Sequence, residues 1–126
     1  MKKKNTILVV DDNVMFRKRI VAHVESDPSL KVTGEVDDGS HVLKEAIRLK
    51  PDVILMDISM PGMNGLDTTR QLTGIMPKVK IIILSVYDVA EYRNAAFERG
   101  ASQYVIKKNM IRDLLPAVHA ALNERG

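Results

Sequence analysis

The chain has 126 residues, with 19 Lys and Arg against 16 Asp and Glu, three His, no Cys and no Trp, and 45% of it is hydrophobic. A chain of this size buries roughly two-thirds of the surface that its unfolded form exposes, so the composition supports one domain, 1–126, with a real core and excludes wholesale disorder. The lack of cysteine excludes disulfide scaffolds, Cys-ligated zinc, iron–sulfur clusters and thiol catalysis, and His23, His41 and His119 stand too far apart for a metal-ligand pattern.

The first element is the apolar run ILVV (7–10), short and β-branched, which reads as a strand buried on both faces. Lys2, Lys3 and Lys4 precede it, but the run is too short for a secretion signal and ends in two aspartates. No apolar run approaches the ~18 residues of a membrane span, so no membrane contact and a cytoplasmic location are expected. Asn13 then caps a helix that carries Phe16, Ile20 and Val24 on one face and closes at Asp27 and Pro28. The lysine tail and Arg17, Lys18 and Arg19 read as a basic tail and a solvated helix face. With 4% aromatic residues and no second recognition helix, direct nucleic-acid binding is not expected.

KVTGEV (31–36) alternates apolar and polar residues, as an edge strand with one wet face does. A helix over 40–49 places Val42, Leu43, Ala46, Ile47 and Leu49 at helical spacing, and VILM (53–56) is a second doubly buried strand. Asn64 caps a helix through Ile75, and IIIL (81–84) is a third such strand. Asp88 caps a helix that ends at Gly100, and YVI (104–106) is the last strand. Proline is best tolerated in a first helical turn, so Pro116 places the start of the final helix near Asp113, with Leu115, Val118 and Leu122 facing the core. Strands alternating with helices demand parallel pairing, and five units are too few for a closed barrel. The fold class is α/β, an open doubly wound (βα)5 sheet.

Polar residues follow the strand runs: Asp11 and Asp12, Asp57, Ser85 and Lys107. In an open α/β sheet, residues at the carboxyl ends of the strands meet in one crevice. Three carboxylates there repel one another by about 4 kcal/mol per pair at ~4 Å and an effective dielectric near 20, so the site must hold protons or a cation. Oxygen ligands without His or Cys select Mg²⁺, with Mn²⁺ as a substitute, and a lysine opposite supplies the charge that a phosphoryl group needs.

The segments VVDDN (9–13), LMDISMPGMNG (55–65), ILSVYD (83–88) and GASQYVIKK (100–108) resemble the receiver domain of two-component response regulators, over essentially the whole chain. The wording is most similar to receivers that precede a LuxR-type helix-turn-helix domain, which favours a piece of a longer regulator. The resemblance implies a flavodoxin-like sheet of strand order 2-1-3-4-5. It implies that Asp57 accepts a phosphoryl group from a sensor histidine kinase or a phosphotransfer protein. Asp12 would bind Mg²⁺ directly, Asp11 through water, and Ser59 by its backbone carbonyl. Lys107 would pair with the phosphoryl oxygens, and Ser85 and Tyr104 would form the switch. Pro61, Gly62 and Gly65 would shape the loop after Asp57. Met60 and Met63 either pack that loop, the favoured reading, or serve as adaptable partner contacts, and Ser59 and Tyr87 border the path of hydrolytic water, unless Tyr87 simply packs on the loop.

Two positions depart from the family pattern: Lys108 stands where many receivers have proline, and Ser85 where threonine is commoner. A haloacid-dehalogenase-like phosphatase, the main enzymatic alternative, expects a DxD pattern after its first strand. This chain has Asp11-Asp12-Asn13 there, and Asp57-Ile58-Ser59 later. The expectation is a signalling module rather than an enzyme, with at most a weak homodimer strengthened by phosphorylation.

Overall fold

A computed structural model describes residues 3–60 and 63–124. The elements run β1 (Asn5–Val10), α1 (Val14–Glu25), β2 (Leu30–Val36), α2 (Val42–Leu49), β3 (Val53–Asp57), α3 (Gly65–Ile75), β4 (Lys80–Ser85), α4 (Ala90–Glu98), β5 (Gln103–Ile106) and α5 (Met110–Leu122). All strands pair in parallel in the order β2-β1-β3-β4-β5, the flavodoxin-like topology expected.

Period-two alternation assigns each strand residue to one of two cores. Ile7, Val9, Val53, Leu55, Ile82, Leu84 and Val105 pack with Ile20 and Val24 of α1 and Leu114 and Val118 of α5. Leu8, Val10, Ile54, Met56, Ile81, Ile83, Tyr104 and Ile106 pack with Val42 and Ala46 of α2, Leu72 of α3 and Ala96 of α4. Met60 is buried in that second core and Met63 packs against it, so both are packing residues. Pro61 and Gly62, expected in the same loop, lie outside the described residues. Gly65 is close-set: a Cβ there would stand 2.5 Å from Ile58 Cα, so only glycine lets α3 start against the residue that follows Asp57.

Four local expectations are corrected. β2 does not alternate cleanly, because its register with β1 shifts between Ile7 and Leu8, which pair with Val32 and Gly34 and leave Thr33 as a bulge. Asp88 does not cap α4; the N-cap is Val89, and Asp88 pairs with Arg93 at 3.4 Å. Ile47, grouped with the buried side of α2, is 53% exposed. The last helix begins at Met110 rather than near Asp113, after a 3₁₀ turn over Lys107–Asn109, and carries Pro116 inside it. Pro116 is exposed and cannot donate to the carbonyl of Arg112, itself an exposed residue, so the lost hydrogen bond falls on a solvent-facing stretch of the helix, where the usual penalty is eased. The earlier start turns Leu114, not Leu115, fully inward; Leu115 and Leu122 are only partly buried.

The end of α4 is as expected. Gly100 takes φ +103°, its N–H donates to Phe97 O at 3.0 Å, and the Ala101 N–H donates to Ala96 O at 3.1 Å, a Schellman closure.

Candidate functional site

The alternation that sorts the core also builds the site. Asp11 continues the series 7, 9; Asp57 continues 53, 55; and Lys107 continues 105. All three therefore leave their strands on the α1/α5 side of the sheet. Ser85 continues 81, 83 and leaves on the opposite side. Lys107 reaches back across β4 and β3: its Nζ donates to Asp11 Oδ2 at 2.9 Å and to Asp57 Oδ2 at 3.2 Å. Burial opposes the lysine charge, but the hydrogen bond to Asp11 and the charges of Asp57 and Asp11 outweigh it and hold its pKa above the ordinary lysine value.

The two buried carboxylates are pinned at their other oxygens by main-chain donors. The Asn13 N–H donates to Asp11 Oδ1 at 2.8 Å, and the Ser59 N–H donates to Asp57 Oδ1 at 2.9 Å. Asp12 differs. It is exposed, and among the described residues its side chain makes no hydrogen bond or ion pair. One carboxylate oxygen from each of Asp11, Asp12 and Asp57 lies within 4.8 Å of the others. Lys107 offsets only part of that charge, so a hard cation fits the cluster. The donor set, three carboxylates with no His, matches Mg²⁺ or Mn²⁺ rather than zinc.

Ser85 is fully buried, and its Oγ accepts the Tyr87 N–H at 3.0 Å. The Tyr87 carbonyl in turn accepts the Tyr104 hydroxyl at 2.7 Å, so a chain of hydrogen bonds runs from Ser85 to Tyr104. Tyr104 is buried, with the Arg93 guanidinium 5.1 Å from its ring centroid. The Tyr87 ring stacks on Tyr92 at 4.5 Å and 12°, which supports packing as a role for it. Ser59 is exposed beside Asp57.

Two site neighbours were not singled out by the sequence. Phe16, read as a core residue of α1, lies under the ammonium of Lys107, which sits 4.6 Å from its ring centroid. Arg17, read as part of a solvated face, is only 14% exposed at its side chain and donates to the Asp11 carbonyl at 2.8 Å. No peptide bond among the described residues is cis, including the one before Lys108. No described helix is long and apolar enough to cross a membrane.

Residues 7–119 match a family model described as the response regulator receiver domain. The nitrate/nitrite response regulator NarL of Escherichia coli K12 is 38% identical over 116 residues, covering 92% of this chain and 54% of that protein. The transcriptional regulatory protein LiaR of Bacillus subtilis is 36% identical over 115 residues, covering 91% and 54%. The chain thus spans about half the length of these relatives. Among solved structures, the receiver domain of the putative response regulator NarL from Mycobacterium tuberculosis superposes with a TM-score of 0.91 at 27% identity, covering 98% of this chain and all of that one. A LuxR-family response regulator from Aurantimonas sp. gives 0.90 at 28% identity, covering 95% of this chain and 86% of that one.

Proposed function

The chain belongs to the response regulator receiver family, and from that premise we propose that residues 1–126 form a phosphorylatable switch whose acceptor is Asp57. The observation that carries this reading is Lys107, whose ammonium bridges Asp11 and Asp57 from another strand end. The donor is a phosphohistidine of a sensor histidine kinase or phosphotransfer protein. An Asp57 carboxylate oxygen forms the new bond to phosphorus, the phosphorus–nitrogen bond breaks, and the imidazole leaves with the electron pair. The Ser59 N–H orients the attacking carboxylate. Lys107 stays within reach of the phosphoryl oxygens that gather charge, which favours an in-line arrangement.

Mg²⁺, or Mn²⁺ in its place, would be held by Asp12, by Asp57, by Asp11 through water and by the Ser59 carbonyl. When bound, it supplies charge neutralisation to the phosphoryl oxygens.

The response begins at Ser85. Its hydroxyl donates to a phosphoryl oxygen, which draws Oγ away from the Tyr87 N–H and loosens the link through Tyr87 to Tyr104. The altered face is read by a transcriptional output domain or a protein partner, in the cytoplasm, and strengthens a weak homodimer. The module turns over no external substrate.

The test is stoichiometry. Acetyl phosphate with Mg²⁺ should load one phosphoryl group per chain, and p-nitrophenyl phosphate should release no product beyond background. Sustained turnover of that ester would favour a phosphatase and overturn the switch.

A further inference from the structure

Every hydrogen-bonding group of Asp11 is engaged. Its two carboxylate oxygens face Asn13 and Lys107, its N–H donates to Val36 O at 3.0 Å, and its carbonyl accepts from Arg17 Nη1 at 2.8 Å. Arg17 spends the other edge of its guanidinium on Glu35, with Nε 2.9 Å from Oε1. Glu35 immediately precedes Val36 on β2, so both main-chain ends of Asp11 are tied to the same strand, one directly and one through Arg17. Helical side chains lean toward the N-terminus, and this lets an arginine in the first turn of α1 reach back over the β1–α1 turn.

We propose that Arg17 is a positioning residue for Asp12. The Asp11 carbonyl and the Asp12 N–H belong to one planar peptide unit, so a donor fixed on that carbonyl sets the tilt of the plane and the direction in which Asp12 leaves it. Asp12 needs such help. It is the exposed carboxylate of the cluster and, among the described residues, has no side-chain partner to orient it. The planar fork of arginine serves Asp11 and Glu35 together, which the single ammonium of lysine cannot do in the same geometry. The inference rests on the reading of Asp12 as a metal ligand given above.

Charge alone predicts the opposite effect on metal binding. Removing the Arg17 cation from beside three carboxylates should tighten a divalent ion, whereas loss of positioning should weaken it. The experiment is a Mg²⁺ titration followed by the amide resonances of ¹⁵N-labelled protein, with thermal unfolding in parallel. Arg17→Gln should weaken Mg²⁺ by about tenfold, as losses of ligand-orienting partners do, and should shift the Asp12 amide before any metal is added. Arg17→Lys should fall between it and the parent, and it carries the test if Arg17→Gln does not fold. Glu35→Gln should give a smaller shift of the same sign. Unchanged or tighter Mg²⁺ binding in both Arg17 variants overturns the proposal, whatever the metal-free Asp12 amide does and even if stability falls. Asp12→Ala separates the two readings. Parent-like Mg²⁺ affinity in that variant would remove Asp12 as a ligand, whereas weakened affinity there beside unchanged affinity in the Arg17 variants would remove Arg17 alone.

Discussion

Asp12 and Lys107 sit on opposite sides of the charge balance in the crevice. Asp12 adds a negative charge that Lys107 offsets only in part and that, among the described residues, no ion pair of its own balances, so metal-free protein holds a repulsion that a neutral side chain relieves. Asp12→Asn should raise the metal-free unfolding midpoint by about 4 °C, the shift that ~1 kcal/mol produces in a domain of this size. The same variant should lose most of the further rise that Mg²⁺ gives the parent, and thermal scans with and without Mg²⁺ read both effects. Lys107 works the other way. Its folded pKa lies above the ordinary value, so its contribution to stability is fully present below the unfolded pKa near 10.4 and is lost as pH rises through the folded value. Urea unfolding at stepped alkaline pH should show this loss in the parent and not in Lys107→Met. Asp11, Asp57 and Lys107 were legible because each follows a recognisable apolar run, and strand parity then puts them on one side. Arg17 was not legible. An arginine after a helix cap reads as solvated, and its partner Glu35 lies 18 positions away on a strand whose register slips.

At the level of elements, the strands buried on both faces announced themselves, since ILVV, VILM and IIIL leave no polar residue to argue over. Less legible was anything set by a neighbour. The bulge at Thr33 comes from pairing with β1, and it places Gly34 against the Leu49 side chain, where a Cβ would collide. The start of α5 depended on whether the face of Pro116 was wet, which local pattern alone does not say. That exposure makes a prediction. An interior proline costs a helix about 3 kcal/mol, part of which is offset by its stiffening of the unfolded chain and by water at the freed carbonyl. Pro116→Ala should therefore stabilise the fold by about 1–2 kcal/mol in urea titration. Destabilisation would mean that the Pro116 ring contributes packing worth more than the hydrogen bond it removes.

For the whole molecule, the two faces of the sheet divide the labour. The α1/α5 side carries Asp11, Asp57 and Lys107, where phosphoryl chemistry is proposed, and the α2/α3/α4 side carries Ser85 and Tyr104, where the response is proposed. Beryllofluoride, a phosphoryl mimic, should thus shift amide resonances of Ser85, Tyr87 and residues 90–98 and raise the sedimentation coefficient at high concentration. Shifts confined to the residues lining the crevice, with unchanged sedimentation, would leave the chain without a transmitted response. The central claim, that Asp57 is the phosphoacceptor, is tested most directly by intact-mass measurement after exposure to acetyl phosphate and Mg²⁺. The parent should gain one phosphoryl group, chelation should suppress the gain, and Asp57→Asn should show none; an Asp57→Asn chain labelled to near the parent's extent would contradict the assignment.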